Sequence, residues 1–144
     1  MKHFTTALAL GLAVLAAGCS TVELPPEDMP YFEMSVAGDN LYPLQRTTYY
    51  EDGSVVYSEA KHSYNNNRGA LRSHQEPGLY ARMMQAWKHP TQADRANAPA
   101  QMSLEELMSC AHCPNYSFTW FDGQTSRGVP AYAFTPALTR SVVE

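Results

Sequence analysis

The sequence predicts an α+β domain: a small antiparallel sheet of about five strands, with one or two helices packed on one face. Three observations lead there. Segments of two-residue hydrophobic alternation recur towards both ends of residues 31–144. Asp-Gly pairs sit where such segments would turn back on themselves. Between them lies a segment whose apolar residues follow a helical period. Composition agrees, because aromatic residues make up 11% of the chain, with 9 Tyr, and aromatic side chains favour strands.

In chain order, Tyr31 to Ala37 (YFEMSVA) puts Phe32, Met34 and Val36 on one face and Glu33 and Ser35 on the other, which predicts a strand. Gly38-Asp39-Asn40 is turn chemistry, and Leu44 to Tyr50 reads as a second strand. Asp52-Gly53 predicts a type I′ hairpin turn, since both residues tolerate positive φ, with Ser54 to Ala60 as the returning strand. Lys61 to Gly78, with its Asn65-Asn66-Asn67-Arg68-Gly69 run and Pro77, reads as a long polar loop.

Leu79, Met83, Ala86 and Trp87 fall at i, i+4, i+7 and i+8, so Leu79 to Lys88 is a helix with one apolar stripe, read as core, which Pro90 ends. Thr91 to Gln101 reads as linker. Ser103 and Glu106 form a capping box, each able to satisfy the other's free amide, and place a helix over Leu104 to Ser109. Asn115 to Phe121 is a strand with Tyr116, Phe118 and Trp120 on one face, and Asp122-Gly123 opens a second turn. Val129 to Phe134 is expected to close the sheet, with Pro130 at an edge or bulge. Thr135-Pro136 caps a last helical turn or two holding Leu138 and Val142.

Before the domain lies an address. Met1-Lys2-His3 is a short basic start, and Ala7 to Ala17 (ALALGLAVLAA) is an apolar run too short to cross a bilayer core as a helix. It has the length and flanks of a signal-peptide h-region. The run ends in Leu15-Ala16-Ala17-Gly18-Cys19. Small residues directly before a cysteine resemble the lipobox of bacterial lipoproteins, with Ala16 three positions before the cysteine and Leu15 one earlier. The resemblance covers residues 1–20. It implies lipid transfer to the Cys19 thiol, cleavage before Cys19 and acylation of the new amine, leaving a chain tethered to a membrane. Two or three acyl chains give the stable anchoring that one does not. Ser20, where Asp would favour the inner membrane, implies the outer membrane, with the domain facing the periplasm. Residues 1–18 are thus expected to be a signal peptide, 19–30 a lipidated cysteine and a spacer rich in Pro and acid, and 31–144 one globular domain.

Cys110-Ala111-His112-Cys113 is the sharpest feature inside the domain. With Cys19 lipidated, two thiols remain in an oxidising compartment, which predicts a Cys110–Cys113 disulfide at the join between the Ser103 helix and the Tyr116 strand. A redox reading of the same CxxC is opposed by position: the pair follows a helix, where the dipole disfavours thiolate. A zinc reading needs a further ligand such as His62, His74 or His89.

The layout of glycine-bearing turn, hairpin, helix and Tyr-x-Phe strand with a following glycine resembles the emfourin-type inhibitors of thermolysin-like metalloproteases. The resemblance spans Tyr31 to Glu144 and implies a protease-inhibitor role, while the Lys61–Gly78 insert and the CxxC depart from it. The chain has a formal net charge of −4 and no Lys/Arg cluster, so a nucleic-acid partner is not expected. No Gly-x-Ser-x-Gly, phosphate loop or His-Glu-x-x-His occurs, so no catalytic residue, metal or cofactor is nominated. The expectation is a non-catalytic envelope lipoprotein. It binds the membrane through Cys19 and another envelope component through an apolar or aromatic patch, for which the strand tyrosines Tyr49, Tyr50 and Tyr57 are candidates. The emfourin-type inhibitor and the CxxC redox or metal protein are the alternatives.

Overall fold

The alternation of Phe32, Met34 and Val36 against Glu33 and Ser35 turns one face of the first strand toward the core, where Phe32 is fully buried and Met34 partly so, and the rest of the sheet is built around it. The computed structural model describes residues 22–37, 44–60, 71–110 and 113–139. Its strands are β1 (Tyr31–Ala37), β2 (Leu44–Tyr50), β3 (Ser54–Ala60), β4 (Leu71–Gln75), β5 (Asn115–Phe121) and β6 (Ser126–Gly128). They form one sheet in the order β4-β3-β2-β1-β5-β6, every neighbouring pair antiparallel. The fold is the expected α+β architecture, with six strands rather than five.

The helices are α1 (Leu79–Lys88), α2 (Gln92–Ala96), α3 (Leu104–Ser109) and α4 (Thr135–Leu138), with a 3-10 turn at Ala131–Phe134. Register puts Phe32 opposite Tyr49 on β2 and opposite Trp120 on β5, so all three project to the same face. On that face α1 contributes Leu79, Tyr80 and Met83, and the C-terminal segment contributes Ala131, Ala133 and Phe134. Phe134 is fully buried, its ring 4.9 Å from that of Phe118, 5.8 Å from Phe32 and 6.0 Å from Tyr49. Phe32, Leu79, Met83 and Phe134 are the largest fully buried side chains, each worth roughly 1.5–3 kcal/mol of burial. On the opposite face the rings of Tyr50, Tyr31 and Phe121 run across three adjacent strands, at 5.4 and 5.0 Å. Beside them Arg46 pairs with Glu33 at 3.2 Å.

Several elements depart from the sequence reading. The Lys61–Gly78 stretch holds β4 over Leu71–Gln75, an edge strand exposed along its whole length. An edge strand with solvent on both faces needs no hydrophobic alternation, and LRSHQ has none. The β2–β3 turn is a three-residue loop, Glu51-Asp52-Gly53, not a type I′ pair: the Tyr50 carbonyl accepts from the Gly53 amide at 3.0 Å and Gly53 has φ 88°. That is the form with glycine at the left-handed position after a tight turn. A Cβ on Gly53 would meet the Glu76 carbonyl oxygen at 3.3 Å, so the glycine also lets the β4–α1 connection approach.

The expected linker 91–101 contains α2. Its start is a capping box in which Thr91 Oγ1 accepts from the Asp94 amide at 3.1 Å and Asp94 accepts from the Thr91 amide at 2.8 Å. Val129–Phe134 is not a strand. The Val129 amide extends the ladder by one bond, to the Phe118 carbonyl at 3.0 Å. Pro130 then has no N–H to give, and the chain turns into the 3-10 turn, closed by Ala133 N–H to the Pro130 carbonyl at 3.0 Å. Thr135 is not a cap: it is the first residue of α4, is buried, and its hydroxyl donates to the Asp94 carbonyl at 2.8 Å. Val142 lies outside the described residues.

Candidate functional site

The site follows from where α1 ends. Trp87 closes its apolar stripe, and the helix lays that stripe across the sheet so that the Trp87 ring lies 6.0 Å from Phe32 and 5.2 Å from Trp120. Trp120 reaches the same place from β5, where alternation with the buried Phe118 fixes its face. These are the two tryptophans of the chain. The Trp120 indole N–H donates to the Tyr80 hydroxyl at 2.9 Å. Burial raises the Tyr80 pKa above that of an ordinary phenol, against the smaller lowering effect of that hydrogen bond, so the hydroxyl stays protonated at neutral pH.

Two cations sit on the tryptophans. Arg127, opposite Trp120 in the β5–β6 register, holds its guanidinium 4.6 Å from the centre of the Trp120 ring and 5.2 Å from that of Trp87. Lys88 Nζ lies 4.0 Å from the Trp87 ring centre. Both distances are within cation–π range. Among the described residues Arg46 pairs with Glu33, and no carboxylate lies within ion-pair distance of Lys88 or Arg127, although the Arg127 charge helps hold the Asp122 pKa down. Tyr80 and Lys88 also line an open groove of about 420 Å³ along α1, with Glu51, Gly78, Met84, Gln85 and His89 among its walls.

Residues 22–30 dock beside this cluster over their second half. The Met29 amide bonds the Pro26 carbonyl at 3.1 Å, and the Pro30 carbonyl accepts from the Glu51 amide at 3.0 Å. The Asp28 carbonyl fills the space a Cβ on Gly123 would take, at 2.7 Å. Asp28 and Pro30, near the end of the expected 20–30 spacer, thus contact the domain.

Cys110 and Cys113 form a disulfide, with Cα atoms 5.6 Å apart. Cys110 is the C-cap of α3, and the capping box at the other end is as expected, with Glu106 N–H to Ser103 Oγ at 3.2 Å and Ser103 N–H to Glu106 at 2.7 Å. The helix leaves Leu104 and Met108 exposed. Carbonyl dipoles at a helix C-terminus disfavour thiolate, so the position suits a clasp better than a reactive pair. His74 is on β4, four strand steps or about 19 Å across the sheet from β5. His89 follows α1, whose last turn lies over Trp120 at the far end of β5 from Cys113. His62, His112 and Cys19 lie outside the described residues, and among those described no three His, Cys, Asp or Glu side chains cluster.

The tyrosine patch does not form as read. Tyr49 is buried against Phe134, Tyr50 projects from the opposite face, and Tyr57 donates to Glu59 at 2.9 Å. Neighbouring strand residues point to opposite sides, so Tyr49 and Tyr50 cannot share a surface. The apolar stripe places Trp87 in the core, so the sequence reading holds no sign of the Trp–cation cluster. The signal that could have found it is Trp87-Lys88 at a helix end together with Trp120 and Arg127 flanking one turn. No described helix is long and apolar enough to cross a membrane.

Protein-family profiles, curated sequences and solved structures give no match to this chain. The functional reading therefore rests on its own residues.

Proposed function

We propose that the chain is the precursor of a bacterial lipoprotein, cut before Cys19, anchored by lipid on that cysteine in the outer membrane and facing the periplasm. Its domain has a non-catalytic binding or structural role in the cell envelope, with another envelope protein as its partner. The observation that carries this reading is the apolar run Ala7 to Ala17 leading into Leu15-Ala16-Ala17-Gly18-Cys19. The oxidised Cys110–Cys113 pair is in keeping with an exported chain, because such disulfides persist in oxidising compartments.

The test is the intact mass of the protein taken from its native membrane, together with the Cys19→Ser variant. The expected mass is that of residues 19–144 plus acyl chains, and the variant should leave the membrane fraction or retain residues 1–18. A chain that keeps residues 1–18 and carries no acyl group overturns the reading.

A further inference from the structure

We infer that Lys88, Arg127 and the two tryptophans they cover form a second membrane contact, a site for the phosphates of anionic lipid headgroups. The inference rests on the lipoprotein reading and deepens it. Three observations combine. First, in a chain with more acidic than basic residues, two cations are held on indole faces and neither is paired with a carboxylate among the described residues. Lys88 and Arg127 therefore stay open to an external anion, although part of the Arg127 charge already acts on Asp122 in the adjoining turn. The rings fix the cations in place, so less side-chain freedom is lost when the anion arrives.

Second, the cluster lies where the chain enters the domain. Gly123, against which Asp28 docks, is in the turn that joins Trp120 to Arg127, and Glu51, bonded to Pro30, lines the groove that Lys88 and Tyr80 share. The residues between Cys19 and Asp28, which meets Gly123, span at most about 32 Å fully extended. A lipid on Cys19 therefore keeps this end of the sheet nearest the bilayer. Third, the residue types match the destination, since tryptophan and tyrosine favour the headgroup level and lysine and arginine bind anionic lipid. Of the nearby carboxylates, Asp122 is engaged chiefly by its own turn, accepting from the Gln124 and Thr125 amides at 2.9 and 2.8 Å, with a smaller pull from Arg127, and Glu51 lines the same groove as Lys88 without pairing with it. An acyl anchor and a cationic contact at one end of a domain reinforce each other, as two weak membrane signals do.

Because Trp87 and Trp120 are the only tryptophans, their emission reports on this site alone. The full chain, with Cys19 unmodified, is mixed with vesicles of phosphatidylcholine or of an equal mixture with phosphatidylglycerol, each carrying a headgroup nitroxide. Quenching is expected on the anionic vesicles well above that on the neutral ones. Lys88→Gln with Arg127→Gln should remove the difference and weaken binding to anionic vesicles roughly 25-fold, at about fivefold per charge. Arg127→Lys, which keeps the charge, and Arg72→Gln, a cation on the distant edge strand, should retain it. Equal quenching on both vesicle types, or equal quenching in parent and double variant, overturns the inference. Binding through the apolar run with the tryptophans unquenched overturns it as well. None of these outcomes depends on acylation of Cys19, which the mass measurement decides separately.

Discussion

The indole N–H of Trp120 donates to the hydroxyl of Tyr80 at 2.9 Å, tying the core face of β5 to the second residue of α1. The bond couples helix to sheet at the point where the cation-covered tryptophans begin. Tyr80→Phe leaves the ring packed on Phe32 and removes only the acceptor. The expected cost is about 1 kcal/mol, with altered tryptophan emission, measured by urea unfolding followed by fluorescence. An unchanged midpoint would mean that water replaces the lost partner without loss.

Phe134 joins the C-terminal segment to three strands through Phe118, Phe32 and Tyr49. Phe134→Ala should destabilise the domain by roughly 3–5 kcal/mol, a large part of the stability of a domain this size. Thermal unfolding reads this directly, and Phe134→Leu should cost clearly less.

Gly123 has φ 101°, and a Cβ there would come 2.7 Å from the Asp28 carbonyl oxygen. Gly123→Ala is strained in its own backbone and displaces the 28–30 segment. The expected outcome is faster proteolytic cleavage around Glu27-Asp28-Met29 and a stability loss of about 1–2 kcal/mol, with the sheet retained. Cleavage no faster than in the parent would show that the segment is held by other contacts.

The Cys110–Cys113 bond closes a four-residue loop, so it removes little chain entropy, at most about 2 kcal/mol. Paired Cys→Ser variants should lower the melting temperature modestly and loosen α3 and the start of β5 in hydrogen exchange. They should leave the Trp87–Trp120 emission as it is. A collapse of the whole domain would contradict a local clasp.

Asp94, Glu106 and Asp122 are all held below the usual carboxylate range, first by backbone amides: Thr91 for Asp94, Ser103 for Glu106, and Thr125 and Gln124 for Asp122. Their folded pKa values are depressed, so the stability they contribute is present above the unfolded values and is lost as pH falls through the folded ones. Glu33 runs the other way. Burial raises its pKa, the Arg46 charge partly offsetting, so its contribution is present at low pH and lost as pH rises through its folded value. Melting temperature should therefore fall on the acid side of the carboxylate range. Asp122→Asn should flatten that fall, and Glu33→Gln should steepen it.

The strands and helices that face the core were legible because burial writes its period into them: Phe32-x-Met34 on β1, Tyr116-x-Phe118-x-Trp120 on β5, and Leu79, Met83 and Trp87 on α1. The Ser103–Glu106 cap was legible for a different reason, since it is complete within four residues. What escaped the sequence is long-range or solvent-facing. β4 has no buried side to impose a pattern, and α2 starts with an aspartate where the usual signal has glutamate. The residues after Val129 turn away because Pro130 ends the ladder that Val129 extends. Arg127 carries no mark of its own in sequence. Only its register opposite Trp120, seven residues earlier across a tight turn, brings its charge onto the indoles.

The central place of β1 has a consequence for the order of folding. Its partner on one side, β2, arrives within a few residues, but its partner on the other, β5, follows only after β4 and three helices. The meander of β1, β2 and β3 can form locally and meet α1 on its inner face, yet Phe118 and Phe134, which complete that core, come later, and pairings of high sequence separation close late. Pulse-labelled amides should accordingly gain protection in β2 and β3 before β5, and a chain stopped short of Asn115 should stay open. A nascent chain whose central strand waits for Asn115–Phe121 keeps one edge of that strand open, and stays threadable through a narrow passage, until those residues have emerged.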